Sequence, residues 1–186
     1  MSLRLETDRL VMRQFEQSDA KMVHGLAGSE EVARTTLSIP HPYPDGAAEK
    51  WIESTHYAAE QGESYTFAIV KKEAEELVGC MSLIVSKSHN RAELGYWFGH
   101  PFWGQGFATE AAWRIVAFGF EELGLNRIYA MAMTKNAASY QVMRKIGMQH
   151  EGTLSQHVLK WGSFEDIELY GMTRADYEKD QQANTK

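Results

Sequence analysis

Residues 102–112 read Phe-Trp-Gly-Gln-Gly-Phe-Ala-Thr-Glu-Ala-Ala: a bulky aromatic pair, two glycines one residue apart, then a run of small helix formers. Glycine has no side chain, so Gly104 and Gly106 let backbone amides approach a partner closely and take positive φ without penalty. A helix beginning near Phe107 leaves its first N–H groups without intrahelical acceptors, at the positive end of its dipole. Such an end suits a phosphate. Two familiar phosphate loops are nevertheless excluded. A Walker loop closes on Gly-Lys-Ser/Thr, which is absent, and a dinucleotide fold wants a third glycine near Thr109 and an acid after the next strand, which here closes on Met-Thr-Lys. Taken alone, the glycines also fit a tight strand-to-helix connection.

The rest of the chain sets the context. The opening, Leu-Arg-Leu-Glu-Thr-Asp-Arg-Leu-Val-Met-Arg, reads as extended, and Ser18 offers an N-cap to a short helix over 19–27. Residues 37–46 hold three of the four prolines and form a loop, with Pro44 starting a helix that ends at Gly62. Three strand candidates follow, at 64–71, 77–85 and 91–99, an antiparallel meander ending at the glycine turn. After the turn, Ala108, Ala111, Ala112, Ile115 and Val116 recur at helical spacing and define a central helix. Residues 127–133, apolar on both alternations, read as a strand covered on both faces. The segment 136–147 is a helix capped by Asn136 and stopped by Gly147, and 148–160 and 164–173 close the chain as a hairpin around Trp-Gly-Ser. This order gives an α+β class with a mixed, mostly antiparallel central sheet of about seven strands. The globular domain spans 1–178, and 179–186 reads as a disordered tail.

Composition narrows the function. At 186 residues and 44% hydrophobic, the chain can fill one core. A net charge of -6 disfavours a nucleic-acid surface and tolerates a cationic substrate. No segment approaches a membrane span or a signal peptide. Cys80 is the single cysteine, which fits a reducing, cytoplasmic setting; it sits mid-strand and reads as core packing. The seven histidines show no metal-binding spacing, so no metal is expected.

The stretch 91–111, followed about thirty residues later by Asn-Ala-Ala-Ser-Tyr-Gln-Val-Met-Arg-Lys-Ile-Gly-Met, resembles the GNAT superfamily of acyl-CoA-dependent N-acyltransferases. Within it, the opening Leu-Glu-Thr-Asp-Arg-Leu, the His-Pro-Tyr-Pro loop and the late Trp-Gly-Ser-Phe-Glu-Asp resemble the RimJ/RimL branch, which acetylates amino groups including ribosomal-protein N-termini. The resemblance implies a single-domain GNAT-like fold with helices on both faces of the sheet and strands splayed beside the central helix. It implies acetyl-CoA as cofactor, its diphosphate held by Gly104, Gln105, Gly106, Phe107, Ala108 and Thr109, and its pantetheine arm beside Tyr96, Trp97 and Phe98. Trp103 departs from the Arg or Gln that usually opens this loop. A larger departure is Met143, where many relatives carry a tyrosine that protonates the departing thiolate; methionine cannot donate a proton. The branch points to Ser139 instead, whose spacing to Val142, Met143 and Ile146 turns it inward. Asn136 is a helix cap that the resemblance also places against the coenzyme arm.

Attack on a thioester needs a neutral amine, and an α-amino group (about 7.7–8.0) is far easier to deprotonate than lysine (about 10.4). The expected acceptor is therefore a protein N-terminal amine or small primary amine, attacking directly, with backbone amides near Trp97 and Phe98 stabilising the oxyanion. Glu93, which alternation sets on the strand face opposite Tyr96, is the candidate base and acceptor contact; a solvated strand carboxylate is the other reading. His41, Tyr43 and Trp51 are candidate acceptor-wall residues, and Glu165 and Asp166 could attract a cation. The missing tyrosine keeps open a non-catalytic acyl-CoA-binding or sensing module of the same fold. Related proteins often pair, so the resemblance is compatible with a homodimer.

Overall fold

The computed structural model describes residues 3–184. The opening segment folds as two strands, β1 (Arg4–Glu6) and β2 (Leu10–Arg13), reversed at Thr7, whose hydroxyl accepts the Leu10 N–H at 3.0 Å. Helices α1 (Ala20–Ala27) and α2 (Glu30–Thr35) follow, then α3 (Ala47–Glu60). Strands β3 (Ser64–Lys71), β4 (Glu76–Ser86) and β5 (Arg91–Phe98) form the expected meander, and α4 (Phe107–Ala117) crosses over to β6 (Arg127–Met133). Helix α5 (Ala137–Lys145) leads to the closing hairpin, β7 (Gln149–Lys160) and β8 (Ser163–Thr173), and the chain ends in α6 (Arg174–Asn184).

Together they make one open sheet of 8 strands in the order β1-β2-β3-β4-β5-β6-β8-β7, one strand more than expected because Thr7 divides the first segment. Every neighbouring pair is antiparallel except β5 and β6. A parallel pair needs a crossover, and α4 supplies it. One face of the sheet packs on α4 and α5 through residues such as Met81, Leu94, Ala112, Ile115 and Ile146. On the other, Val23, Val32, Ile52, Cys80 and Trp97 bury against α1 to α3.

Several local readings change. Ser18 is not a cap: Glu16 and Asp19 form a capping box ahead of a short 3-10 turn, and Asp19 also takes both Arg13 guanidinium nitrogens at 2.7 and 2.9 Å. Helix α3 begins after Gly46, in the left-handed region (φ 72), three residues beyond Pro44. Helix α2 is an addition, capped by the Ser29 side chain, which accepts the Val32 N–H. Strand β6 is unevenly covered: Ile128, Ala130, Ala132 and Met133 are buried, while Tyr129 and Met131 are half-buried, Met131 against a cavity. The tail read from 179 is helical as far as Asn184, because Tyr177 is buried, stacks on Phe120 at 4.9 Å and donates to Glu121 at 2.5 Å. Residues 185 and 186 lie outside the described residues.

Candidate active site

The site exists because β5 and β6 part company. Their pairing stops after Arg91↔Arg127, Ala92↔Ile128 and Glu93↔Tyr129, although β5 runs on to Phe98 and β6 to Met133. On its other side β5 stays in continuous register with β4, from Ser86↔Arg91 to Gly79↔Phe98, so the strand is splayed from β6 without being bulged. The Gly99 N–H donates to Val78 on β4, whereas the Asn90 carbonyl accepts from Asn126, just ahead of β6. Backbone groups alternate in direction along a strand, so the N–H groups of Tyr96 and Phe98 point away from β4 into the gap. Among the described residues no strand takes these donors.

A cavity of about 800 Å³ fills this wedge and reaches both faces of the sheet. At its mouth on the α4 face stand Gly104 and Gly106, both left-handed (φ 74 and 82), and α4 begins immediately after Gly106. Glu110 is the first residue of α4 whose N–H reaches back to Gly106, leaving the N–H groups of Phe107, Ala108 and Thr109 free of helical acceptors. A Cβ on Gly104 would meet nothing within 4 Å. The loop is rigidly held. Trp103, in the place of the usual Arg or Gln, donates from Nε1 to the Phe98 carbonyl at 2.7 Å and stacks edge-on against His100. Arg9 donates to the Gln105 carbonyl at 3.0 Å and to Glu110 at 2.6 Å, with its guanidinium 4.6 Å over the Phe107 ring. Burial works against charge on Glu110, but the Thr7 hydroxyl and the Arg9 N–H and guanidinium outweigh it and hold the carboxyl below the usual carboxylate range. A diphosphate fits these free amides and open glycines.

Ser139 lies on α5 facing the wedge, and the Tyr96 hydroxyl meets it twice, at 2.8 Å from its Oγ and 2.9 Å from its carbonyl. Burial pushes the Tyr96 hydroxyl up to about 12, with the Ser139 contact pulling weakly the other way. Met143, one turn on, is buried in the core and takes no part in the cavity lining. Where position 143 offers no hydroxyl, Tyr96 brings one to Ser139 from β5. No local pattern announces it, since the pair is separated by 43 residues.

Glu93 lies on the opposite face of β5, as alternation requires, at the last paired position before the gap. The Tyr129 hydroxyl donates to it at 3.3 Å. Beside it the floor on the α1–α3 face is built from cross-strand rows, Ser64↔Ile84↔Glu93 and Thr66↔Ser82↔Gly95, the second of them small or hydroxylated throughout. Tyr43 and Trp51 form a wall there; Trp51 packs edge-on against Phe15 at 4.9 Å, and burial raises the Tyr43 hydroxyl. Among the described residues, Glu93 is the only carboxylate lining the cavity and Lys145 the only cation.

Other expected residues fall elsewhere. His41 is exposed, bonds the Gly28 carbonyl at 3.1 Å and does not line the cavity. The Gln105 side chain turns back to the Pro101 carbonyl at 2.9 Å, which leaves the loop only its backbone N–H. Both ends of the Asn136 amide are engaged within the protein: Oδ1 accepts the Ser139 N–H and Nδ2 donates to the Thr35 carbonyl at 3.0 Å. Glu165 pairs with Lys135 and Asp166 accepts the Gln156 N–H, both in a separate shallow cleft. Cys80 does line the cavity, but burial drives its thiol far above the range in which a thiolate forms.

The acetyltransferase (GNAT) domain family matches residues 9–149. The uncharacterized N-acetyltransferase YoaA of Bacillus subtilis is 31% identical over 91% of this chain and 96% of its own length. The ribosomal protein uS5-alanine N-acetyltransferase of Escherichia coli is 28% identical over 94% of this chain and 93% of its own. The solved structure of a GNAT-family acetyltransferase from Bacillus anthracis superposes with a TM-score of 0.83 over 93% of this chain and 99% of its own, at 24% identity, and so shares the fold.

Proposed function

The chain belongs to the GNAT acetyltransferase family, and from that premise we propose that it transfers an acetyl group from acetyl-CoA to a primary amine, a protein N-terminus or a small amine, by direct attack through the β5/β6 gap. Acetyl-CoA would supply the activated acyl group. The free N–H groups of residues 107–109 hold the diphosphate at the positive end of α4. The Tyr96 and Phe98 N–H groups, turned into the gap, bind the arm and the developing oxyanion. Ser139, supported by Tyr96, gives a hydrogen bond to the departing thiolate. Glu93, on the acceptor face, receives the proton of the incoming ammonium, directly or through one water, and Tyr129 orients it.

The observation that carries this reading is the gap itself. It lets a thioester entering from the α4 face meet an amine entering from the α1–α3 face, with Glu93 and Tyr96 three residues apart on opposite sides of one strand. The buried thiol of Cys80 has no neighbour that would ionise it, which favours direct attack over an acetyl-cysteine relay. The uS5-alanine acetyltransferase relative makes peptide N-termini the first acceptors to try.

The test is free-thiol release from acetyl-CoA with a panel of peptides of varied N-terminal residue, polyamines and aminoglycosides, alongside calorimetric titration of the coenzyme. Amine-dependent release is expected. Coenzyme binding without turnover on any acceptor would return the non-catalytic module instead, and release that ignores the amine would refute transfer.

A further inference from the structure

Six consecutive residues line the cavity on the α1–α3 side, Thr35 closing α2 and Thr36 to Pro40 following as irregular chain. Such a segment has few backbone partners of its own, and the last carbonyls of a helix have none within it. Two side chains from outside the α1–α3 layer supply them. Asn136, the cap of α5, donates from Nδ2 to the Thr35 carbonyl at 3.0 Å, across 101 residues of sequence. Lys160, at the end of β7, donates from Nζ to the Ile39 carbonyl at 3.4 Å. Lys160 is 7% exposed. Among the described residues no carboxylate pairs with it, and its ammonium lies 5.0 Å over the Trp161 ring. A buried cation without a counter-ion is costly. Its carbonyl contact is therefore the feature that needs a reason.

We propose that Asn136 and Lys160 are positioning residues that hold residues 35–40 across the acceptor end of the cavity, and that the Asn136 amide thereby serves the acceptor and not the coenzyme. The role in acceptor binding rests on the transferase reading above; the tie itself does not. Asn136 sets the strap against the same helix that presents Ser139, whose N–H it caps at 3.2 Å, so one amide fixes the acceptor wall relative to the hydroxyl that meets the thiolate. Lys160 holds the other end from the closing hairpin, at a position where an ordinary surface lysine would extend into water.

Asn136→Ser keeps an N-cap oxygen but is too short to reach Thr35, and Lys160→Met keeps the apolar stem without the donor. Amide hydrogen exchange across residues 35–41 needs neither coenzyme nor acceptor, and should accelerate about fivefold in Asn136→Ser, the scale of one lost neutral bond, and about tenfold or more in Lys160→Met, the scale of a charge-assisted one. With a turned-over amine, KM for the acceptor should rise roughly three- to tenfold while kcat and coenzyme Kd stay within about twofold. Unchanged exchange in both variants would overturn the tie. A coenzyme Kd weakened more than the acceptor KM in Asn136→Ser would make Asn136 a coenzyme ligand and overturn the assignment. If no amine is accepted at all, the transferase reading fails by itself, and exchange and calorimetry still decide whether the tie exists.

Discussion

Removing the Ser139 hydroxyl should slow turnover without loosening the protein, and the structure says by how much. In Ser139→Ala the Tyr96 hydroxyl loses its 2.8 Å contact with Oγ but keeps the Ser139 carbonyl at 2.9 Å, so no buried donor is orphaned. Stability should fall by less than about 1 kcal/mol. A hydrogen bond to a charged sulfur is worth about 1.5–3 kcal/mol, so kcat should fall roughly 10- to 150-fold. Tyr96→Phe leaves Ser139 in place but unsupported, and should cost a smaller factor, about three- to tenfold. The double variant should lose little more than Ser139→Ala, because both act on one sulfur.

The acid–base state of Tyr96 sharpens the same prediction. With its hydroxyl near 12 and an ordinary thiol near 8.5, full proton transfer from Tyr96 to a thiolate would run roughly 5 kcal/mol uphill. In the proposed mechanism Tyr96 and Ser139 therefore donate hydrogen bonds while keeping their protons, and the thiolate takes its proton from solvent. The pH–rate profile of Tyr96→Phe should accordingly match the wild type in shape between about pH 6 and 9, differing only in height. The assay is thiol release at saturating acetyl-CoA and acceptor. An unchanged kcat in Ser139→Ala, or the loss of an alkaline limb in Tyr96→Phe, would refute the assignment.

Two further perturbations separate the loop from the frame. Gly106→Ala places a Cβ in the left-handed region (φ 82), 3.3 Å from Arg9 Nη2 at the mouth of the diphosphate site. It should cost about 1–2 kcal/mol of stability and weaken coenzyme binding at least about tenfold, whereas Gly25→Ala, in open space on α1, should stabilise by about 0.5–1 kcal/mol and leave binding alone; thermal melts and calorimetry check both. Asp19 tests the acid limb of stability. Burial opposes its charge, but Arg13 and the Glu16 N–H hold the carboxyl below its ordinary value, so its contribution is full above about pH 4 and disappears as pH falls through the lower folded-state value. Asp19→Asn should thus cost about 2 kcal/mol at pH 7 in urea melts and progressively less below pH 4, and a constant difference across that range would refute the linkage.

What was legible in the sequence was what neighbours in sequence decide. The two glycines before Phe107 and the Asn136 cap are local devices, and the structure carries both as read. Helix α2 is only six residues long, so it offers less than two turns of periodicity, and α6 is polar nearly throughout, its docking resting on Tyr177 and on Arg174, which donates to the Phe120 and Leu125 carbonyls. The Tyr96–Ser139 and Asn136–Thr35 contacts join residues 43 and 101 positions apart, where no spacing rule reaches.

The more instructive case is β5, whose alternation was plain while its meaning was not. Period two sends Glu93, Gly95 and Trp97 to one face and Leu94, Tyr96 and Phe98 to the other, and in a closed sheet that division would isolate a base from a thiolate donor by a wall of paired backbone. Here the wall ends at Glu93↔Tyr129. Beyond that pair the same alternation suits the proposed reaction through the sheet, with Glu93 on one side, the Tyr96–Ser139 hydroxyl pair on the other and the Tyr96 and Phe98 N–H groups turned into the opening between them. The parting of β5 from β6 is a property of the whole sheet: β5 stays married to β4 as far as Gly79↔Phe98, while β6 follows β8 through Met133↔Ile167, and the two halves diverge with nothing between them. A site made by the divergence of two well-paired strands leaves each strand's own sequence looking ordinary, which is why the chemistry on β5 could be placed by face but its meeting point had to come from the fold.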